Sequence, residues 1–250
     1  MRALVTGASS GIGREIAKIL SSMNVDVILV GRDEKRLLET KEMLKGFASI
    51  EIADLSNPEN CFSLYNRVRD IDILVNNAGF GLFGDFSSTD LSTELNMIDT
   101  NVKAVHILTK LYLADMKEKN DGYILNVASV AGFLPGPLMA TYYSTKSYVL
   151  RLSESIYEEL RREHSNVSIS CLCPGPTNTD FFKRANVVFR TPYASAYDVA
   201  KYAVYKMFKR KLVIIPGFGV KLLRSIGKFL PDKTVAKFIY LVQSKRKKAE

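Results

Sequence analysis

A chain of 250 residues with 47% apolar and 24% charged residues is long enough to bury a full core without disulfides or a structural metal. No apolar run reaches the roughly 18 residues a membrane-spanning helix needs, which argues against an integral membrane protein. The net charge of +9 belongs to the C-terminus, where residues 201–250 carry fourteen Lys and Arg against Asp232 and Glu250; such asymmetry speaks of surfaces and partners rather than of fold.

Strand-like and helix-like segments alternate along residues 1–216. Arg2–Thr6 reads as a first strand, entered without a signal-type segment, so a cytoplasmic protein is expected. Gly11–Ser22 predicts a helix with Ile12, Ile16, Ile19 and Leu20 on one face. Val25–Val30 is a strand, Asp33–Lys45 a helix capped by Asp33, Ala48–Ile52 a strand, and Asn57–Arg67 a helix with Asn57 as cap and Pro58 in its first position. Asp72–Val75 follows as a strand, Leu91–Lys119 as one long or broken helix, Tyr123–Val127 as a strand, and Thr141–Glu163 as a helix. Val167–Leu172, helical Tyr197–Lys209 and strand Leu212–Ile215 complete the series. The alternation predicts an α/β fold: a Rossmann-like doubly wound parallel sheet of about seven strands with helices on both faces. We read one domain over 1–216, followed by a basic, helical C-terminal extension over 217–250.

Cys61, Cys171 and Cys173 are too few for a disulfide framework, and with only His106 and His164 beside them no metal site is expected. Buried thiols in a reducing compartment are the simpler expectation. Cys171 and Cys173 alternate along a strand and are expected on opposite faces.

The first strand runs into Thr6-Gly7-Ala8-Ser9-Ser10-Gly11-Ile12-Gly13 and then a helix. Gly7 suits a tight turn, Gly11 a close backbone approach to a pyrophosphate, and Gly13 close packing of helix on sheet. The helix N-terminus presents free N–H groups and a partial positive charge to phosphates. The second strand ends at Gly31, where an acidic residue would favour the ribose of NAD; Arg32 follows, and its planar fork suits the 2′-phosphate of NADP. A solvated Arg at a helix start is the alternative, and Asp33 is best used as the helix cap.

With these motifs stand Asp54-Leu55, Asn76-Asn77-Ala78-Gly79, Asn101, Ser129, Tyr142-Tyr143-Ser144-Thr145-Lys146 and Pro174-Gly175 with Thr179. In this order and spacing the chain resembles the short-chain dehydrogenase/reductase family over about residues 1–215. Its tail looks like the basic extension of a bacterial group of oxidoreductases of unassigned activity. The resemblance implies a cofactor site formed by Gly7, Ser9, Ser10, Gly11, Ile12, Gly13 and Arg32, by Asp54 and Leu55 near the adenine, by Asn76, Asn77, Ala78 and Gly79, which would also steady the central sheet, and by Pro174, Gly175, Thr177 and Thr179 at the nicotinamide end. NADP(H) is favoured over NAD(H).

Reducing a ketone needs a hydride for carbon and a proton for oxygen; the cofactor supplies the first and the protein the second. Tyr142 and Lys146 lie four apart on a predicted helix and so share a face. A nearby ammonium favours the phenolate and makes Tyr142 a usable general acid/base. Ser129 follows the fifth strand, where its hydroxyl can hold a carbonyl oxygen. The resemblance adds that Tyr142 and Lys146 also touch the cofactor and that Asn101 holds a water relaying protons to Lys146. Tyr143 is the rival of Tyr142, and the family spacing selects Tyr142.

Phe80, Leu82, Phe83, Phe133, Leu134, Leu138, Met139, Phe181 and Phe182 collect where a substrate would lie, suggesting a small apolar carbonyl or alcohol; several could equally be core residues. The expected function is an oxidoreductase interconverting a ketone or aldehyde and an alcohol. The alternatives are a catalytically silent NADP(H)-binding sensor or scaffold and a membrane-peripheral reductase of lipid-type carbonyls. No nucleic-acid module is visible, so nucleic acid is not an expected partner. The resemblance implies a homodimer or homotetramer through the helices Leu91–Lys119 and Thr141–Glu163. In the tail, Gly219–Leu230 and then Val235–Val242 read as basic amphipathic stretches, which either pack on protein or give the cytoplasmic enzyme a peripheral membrane contact.

Overall fold

The computed structural model describes residues 1–181, 194–217 and 230–245. Short runs of Val, Ile and Leu form the strands β1 (Arg2–Thr6), β2 (Asp26–Gly31), β3 (Ala48–Ile52), β4 (Ile73–Asn76), β5 (Gly122–Val127), β6 (Val167–Leu172) and β7 (Val213–Ile214). They pair in parallel in the order β3-β2-β1-β4-β5-β6-β7. Helices α1 (Gly11–Ser22), α2 (Glu34–Glu42), α3 (Pro58–Arg67), α4 (Leu91–Ile98), α5 (Ala104–Lys119), α6 (Ala140–Arg162) and α7 (Ala196–Phe208) connect them.

Alternate residues along each strand serve opposite faces. Ala3, Val5, Val27 and Leu29 pack against Ile16 and Leu20 of α1 and Val204 and Met207 of α7. Leu4, Ile28, Ile124 and Ile169 pack on the other face against Leu64 of α3, Leu108 and Tyr112 of α5 and Leu160 of α6. The sheet grows outward in opposite directions from β1 and β4, which opens a crevice at the carboxyl ends of the central strands.

Local chemistry sets the helix ends. Asp33 caps α2 by accepting from the Arg36 N–H at 3.1 Å, and Asn57 caps α3 by accepting from Glu59 at 3.0 Å. Helix α2 stops at Glu42, three residues short of the expected end. Beyond it the hydroxyl of Ser21 takes the N–H groups of Lys45 and Gly46 and turns the chain toward β3. The stretch Leu91–Lys119 is helical throughout but changes winding: a π turn over Asp99–Lys103 joins α4 to α5.

One expectation is overturned. Cys171 and Cys173 lie on the same face of their strand, with sulfurs 3.9 Å apart, because residues two apart on a strand point the same way. These two thiols and Cys61 are buried and outside any disulfide; burial and the charge of Asp54 push the Cys61 thiol up to about 11. The helix expected over Gly219–Leu230 lies outside the described residues except at Leu230. The second tail segment forms α8 (Asp232–Ser244). Among the described residues no helix is long and apolar enough to cross a membrane.

Candidate active site

A cavity of about 460 Å³ runs along the crevice from Arg32 and Asp54 to Tyr142 and Lys146. At its centre is the turn between β1 and α1. Gly7 has φ +63°, and a Cβ there would meet Ala78 Cα at 2.9 Å; a Cβ on Gly13 would come within 2.4 Å of the Gly7 carbonyl. Asn77 fastens this turn to the end of β4. Its Nδ2 donates to the carbonyls of Thr6 and Gly7 at 3.0 and 3.2 Å, while Thr6 Oγ1 accepts from the N–H groups of Asn77 and Ala78. Ser10 caps α1 without a side-chain bond and the first turn holds no acid, so the helix N-terminus faces the cavity with its amide groups uncompensated. That cradle, backed by glycines with no room for side chains, fits a diphosphate. Ser9, Ser10, Gly11, Ile12, Ala78, Gly79, Pro174, Gly175, Thr177 and Thr179 line the same cavity.

Asn76 departs from its neighbours. Its Nδ2 donates to Thr109 Oγ1 at 3.0 Å and Asn126 Oδ1 at 2.9 Å, and Asn126 donates in turn to Ser153. It belongs to a buried polar network that ties the sheet to α5 and α6, and it does not line the cavity.

At one end of the cavity Arg32 is 58% exposed and pairs with Asp54 at 3.5 Å. Burial pushes the Asp54 carboxyl up, but hydrogen bonds from Ser56 and the Arg32 charge outweigh it and leave the carboxyl below its ordinary value. The Asp33 carboxylate is engaged in capping α2. Leu55 also lines this end. Arg36 of α2 forms an ion pair with Asp180, which follows Thr179 beyond β6, and so bridges the mouth of the cavity.

The other end gathers Ser129, Tyr142, Lys146 and Asn101, all buried. Ser129 leaves β5 as the cap of a 3-10 turn over Val130–Phe133 and accepts from the Ala131 N–H at 3.2 Å. The Ser129 hydroxyl stands near enough to the Tyr142 phenol to act on its titration. Burial drives the Tyr142 pKa upward, the neighbouring Ser129 hydroxyl opposes this, and Tyr143 adds to it. One turn along α6, Lys146 Nζ lies 5.9 Å from the Tyr142 ring centroid and donates to the Val127 carbonyl at 2.9 Å. Burial lowers the Lys146 pKa to about 8. Asn101, turned inward by the π turn, donates to Thr145 Oγ1 at 3.1 Å and to the Phe80 carbonyl at 2.9 Å, and accepts from the Phe80 N–H at 3.1 Å.

Phe80, Leu82, Phe83, Tyr143 and Phe181 pack with Met97 and Met139 around Tyr142. Phe133 instead joins Val105, Ala128 and Val149 in the core, and Phe182 lies outside the described residues. Leu138 takes a left-handed φ of +65°, and its carbonyl accepts from Gly84 at 2.9 Å, tying the loop after β4 to the loop before α6. Sequence reasoning missed Thr145, the Val127 and Phe80 backbone groups and the Arg36–Asp180 pair. Backbone partners leave no residue signature, and Arg36 and Asp180 are 144 positions apart.

The sequence profile of a family described as short chain dehydrogenase matches residues 1–187. An uncharacterized oxidoreductase of Staphylococcus epidermidis is 36% identical over 181 residues, covering 71% of this chain and 78% of the relative. Among solved structures, the fold is similar to a short-chain dehydrogenase from Sphingobium yanoikuyae in complex with NADPH, at a TM-score of 0.81 and 28% identity over 91% of this chain and 92% of that one. It is also similar to a short chain dehydrogenase/reductase from Burkholderia phymatum in complex with NAD, at a TM-score of 0.83 and 25% identity over 90% and 91%.

Proposed function

We propose that this chain, which belongs to the short-chain dehydrogenase/reductase family, interconverts a ketone or aldehyde with an alcohol, using NADP(H) in preference to NAD(H). The observation that carries this reading is the gathering of buried Ser129, Tyr142 and Lys146 at the end of a cavity that holds an anion cradle, with the Lys146 ammonium one helical turn from the Tyr142 ring. The nicotinamide, when bound, supplies or accepts the hydride. Tyr142 gives or takes the proton at the substrate oxygen, and Ser129 holds that oxygen by a hydrogen bond. At neutral pH Lys146 is protonated; in this reading its charge, 5.9 Å from the Tyr142 ring centroid, favours the phenolate as the proton passes to the substrate oxygen. The apolar wall around Tyr142 selects a substrate with an apolar body.

The cofactor preference rests on Arg32. It is exposed, and among the described residues its one ion pair is a long contact to Asp54, which leaves its fork able to turn to a 2′-phosphate. The acid that would favour NAD, Asp33, is engaged in capping α2. The reading includes a homodimer or homotetramer: exposed Leu91 and Leu95 stand on α4, beside a groove shared by Phe86, Ile98 and Tyr148. Sedimentation of only a 28.0 kDa species would overturn that part.

The test is a screen of NADPH consumption over ketones and aldehydes, with matched alcohols and NADP⁺ in reverse. Turnover abolished by Ser129→Ala and Tyr142→Phe supports the assignment. NADPH binding without turnover on any carbonyl favours the silent sensor, and a wild type that prefers NADH rejects the cofactor choice.

A further inference from the structure

Helix α8 packs by one stripe and leaves another bare. Val235, Ile239 and Gln243, four apart, are buried. Phe238, Leu241 and Val242 are 58%, 50% and 40% exposed, and their spacing of three and four gathers them on a second stripe. At about 100° per residue, Lys233, Lys237 and Tyr240 fall on the sector beside it, and Lys245 closes the helix in line with the stripe. No acidic residue follows Asp232 on this helix. Single exposed apolar residues are ordinary on a protein surface, but a contiguous bare stripe marks an interface.

Charge decides what covers it. The stripe is bordered by lysines in a segment, residues 201–250, that carries fourteen Lys and Arg against two acids. A second copy meeting the first through α8 would bring the same positive sector against itself. An apolar stripe flanked by Lys233, Lys237 and Tyr240 complements a surface with phosphates outside and hydrocarbon within.

We infer that α8 docks this enzyme on an anionic lipid bilayer. The helix lies in the plane of the interface, with Phe238, Leu241 and Val242 at the acyl boundary and Lys233, Lys237 and Lys245 among the lipid phosphates. This docking is independent of the reaction proposed above.

Flotation of the full chain tests it, with vesicles of equal parts phosphatidylcholine and phosphatidylglycerol and with pure phosphatidylcholine. The chain should float with the anionic vesicles at low salt, stay behind with pure phosphatidylcholine, and release as salt rises. The double substitution Phe238→Ser and Leu241→Ser should cut the bound fraction about tenfold, with circular dichroism and NADPH affinity unchanged. Lys233→Gln, Lys237→Gln and Lys245→Gln together should do the same through the charge term alone. Absence of flotation on anionic vesicles overturns the inference. So do undiminished flotation of both variants, a dimer broken by the serine substitutions without vesicle binding, and retention on RNA at the same salt without flotation.

Discussion

Asn101 clasps the backbone of Phe80 from both sides: Oδ1 accepts its N–H at 3.1 Å and Nδ2 donates to its carbonyl at 2.9 Å. The π turn over Asp99–Lys103 supports this geometry, since the extra residue in the turn swings the Asn101 side chain into the protein. The same Nδ2 reaches Thr145, the residue before Lys146. One side chain therefore fixes the loop after β4 to the helix that carries the reactive pair.

Replacing Asn101 tests this clasp. Asn101→Ala removes both partners of the Phe80 N–H and carbonyl at a part-buried site, which costs about 1 kcal/mol. Urea unfolding should show that loss, and turnover should fall with it as the loop beside Tyr142 loosens. Unchanged stability would mean that the clasp contributes nothing.

The choice between adjacent tyrosines is equally open to measurement. Tyr142→Phe deletes one hydroxyl from a ring that otherwise keeps its packing against Phe181, at 5.1 Å between centroids. Cofactor affinity should hardly move while turnover falls at least about 100-fold. Tyr143→Phe should cost far less, because its ring serves the apolar wall. Inactivation by Tyr143→Phe rather than Tyr142→Phe would reverse the assignment.

The parts of this site that short-range rules control were legible in the residues. Glycines at 7, 11 and 13 between a strand and a helix imply a phosphate turn, and a spacing of four brings Tyr142 and Lys146 onto one face of α6. Interactions across the fold were not. The winding change at Asn101 leaves no mark in a continuous helical pattern, and Val127 and Phe80 act through backbone atoms that every residue has. Helix α2 ends early because of a hydroxyl, Ser21, twenty-four and twenty-five positions away from the amides it accepts. Cys171 and Cys173, by contrast, obey a local rule: two positions apart in extended chain, their sulfurs meet on one face.

Two substitutions at the cavity mouth should separate cofactor choice from cofactor retention. Arg32→Ala removes a cation available to a 2′-phosphate and should weaken NADPH about 10–100-fold while leaving NADH nearly unchanged. Asp180→Asn breaks the ion pair to Arg36 that holds the Thr179 segment against α2. Both partners are about a third exposed, so the effect is modest, about twofold to fivefold, and falls alike on the two cofactors. Fluorescence titration of NADPH and NADH distinguishes them. Equal losses for both cofactors on Arg32→Ala would reject the phosphate role.

Lys146 makes stability depend on pH in a defined direction. Burial lowers its pKa from the usual 10.5 to about 8, so between those values the unfolded chain holds a proton that the folded chain has released. Stability therefore rises with pH through this window, and below about pH 8 the fold bears the full cost of a buried ammonium. Other groups act oppositely at the alkaline end, the phenols of Tyr65 and Tyr112 equally in wild type and variant. The Cys61 thiol, raised from 9.0 to about 11, and the Tyr142 phenol, raised above 10.0, each keep a proton in the fold that the unfolded chain loses. Lys146→Met isolates the lysine, because the Cys61 contribution is common to both proteins and that of Tyr142 begins only near pH 10. Urea unfolding of the two proteins from pH 7 to 10 should show the wild type gaining on the variant by roughly 2–3 kcal/mol, almost all of it above pH 8. A difference that stays flat, or that shrinks as pH rises, would mean that Lys146 sits in the fold with an ordinary pKa and that burial has not shifted it.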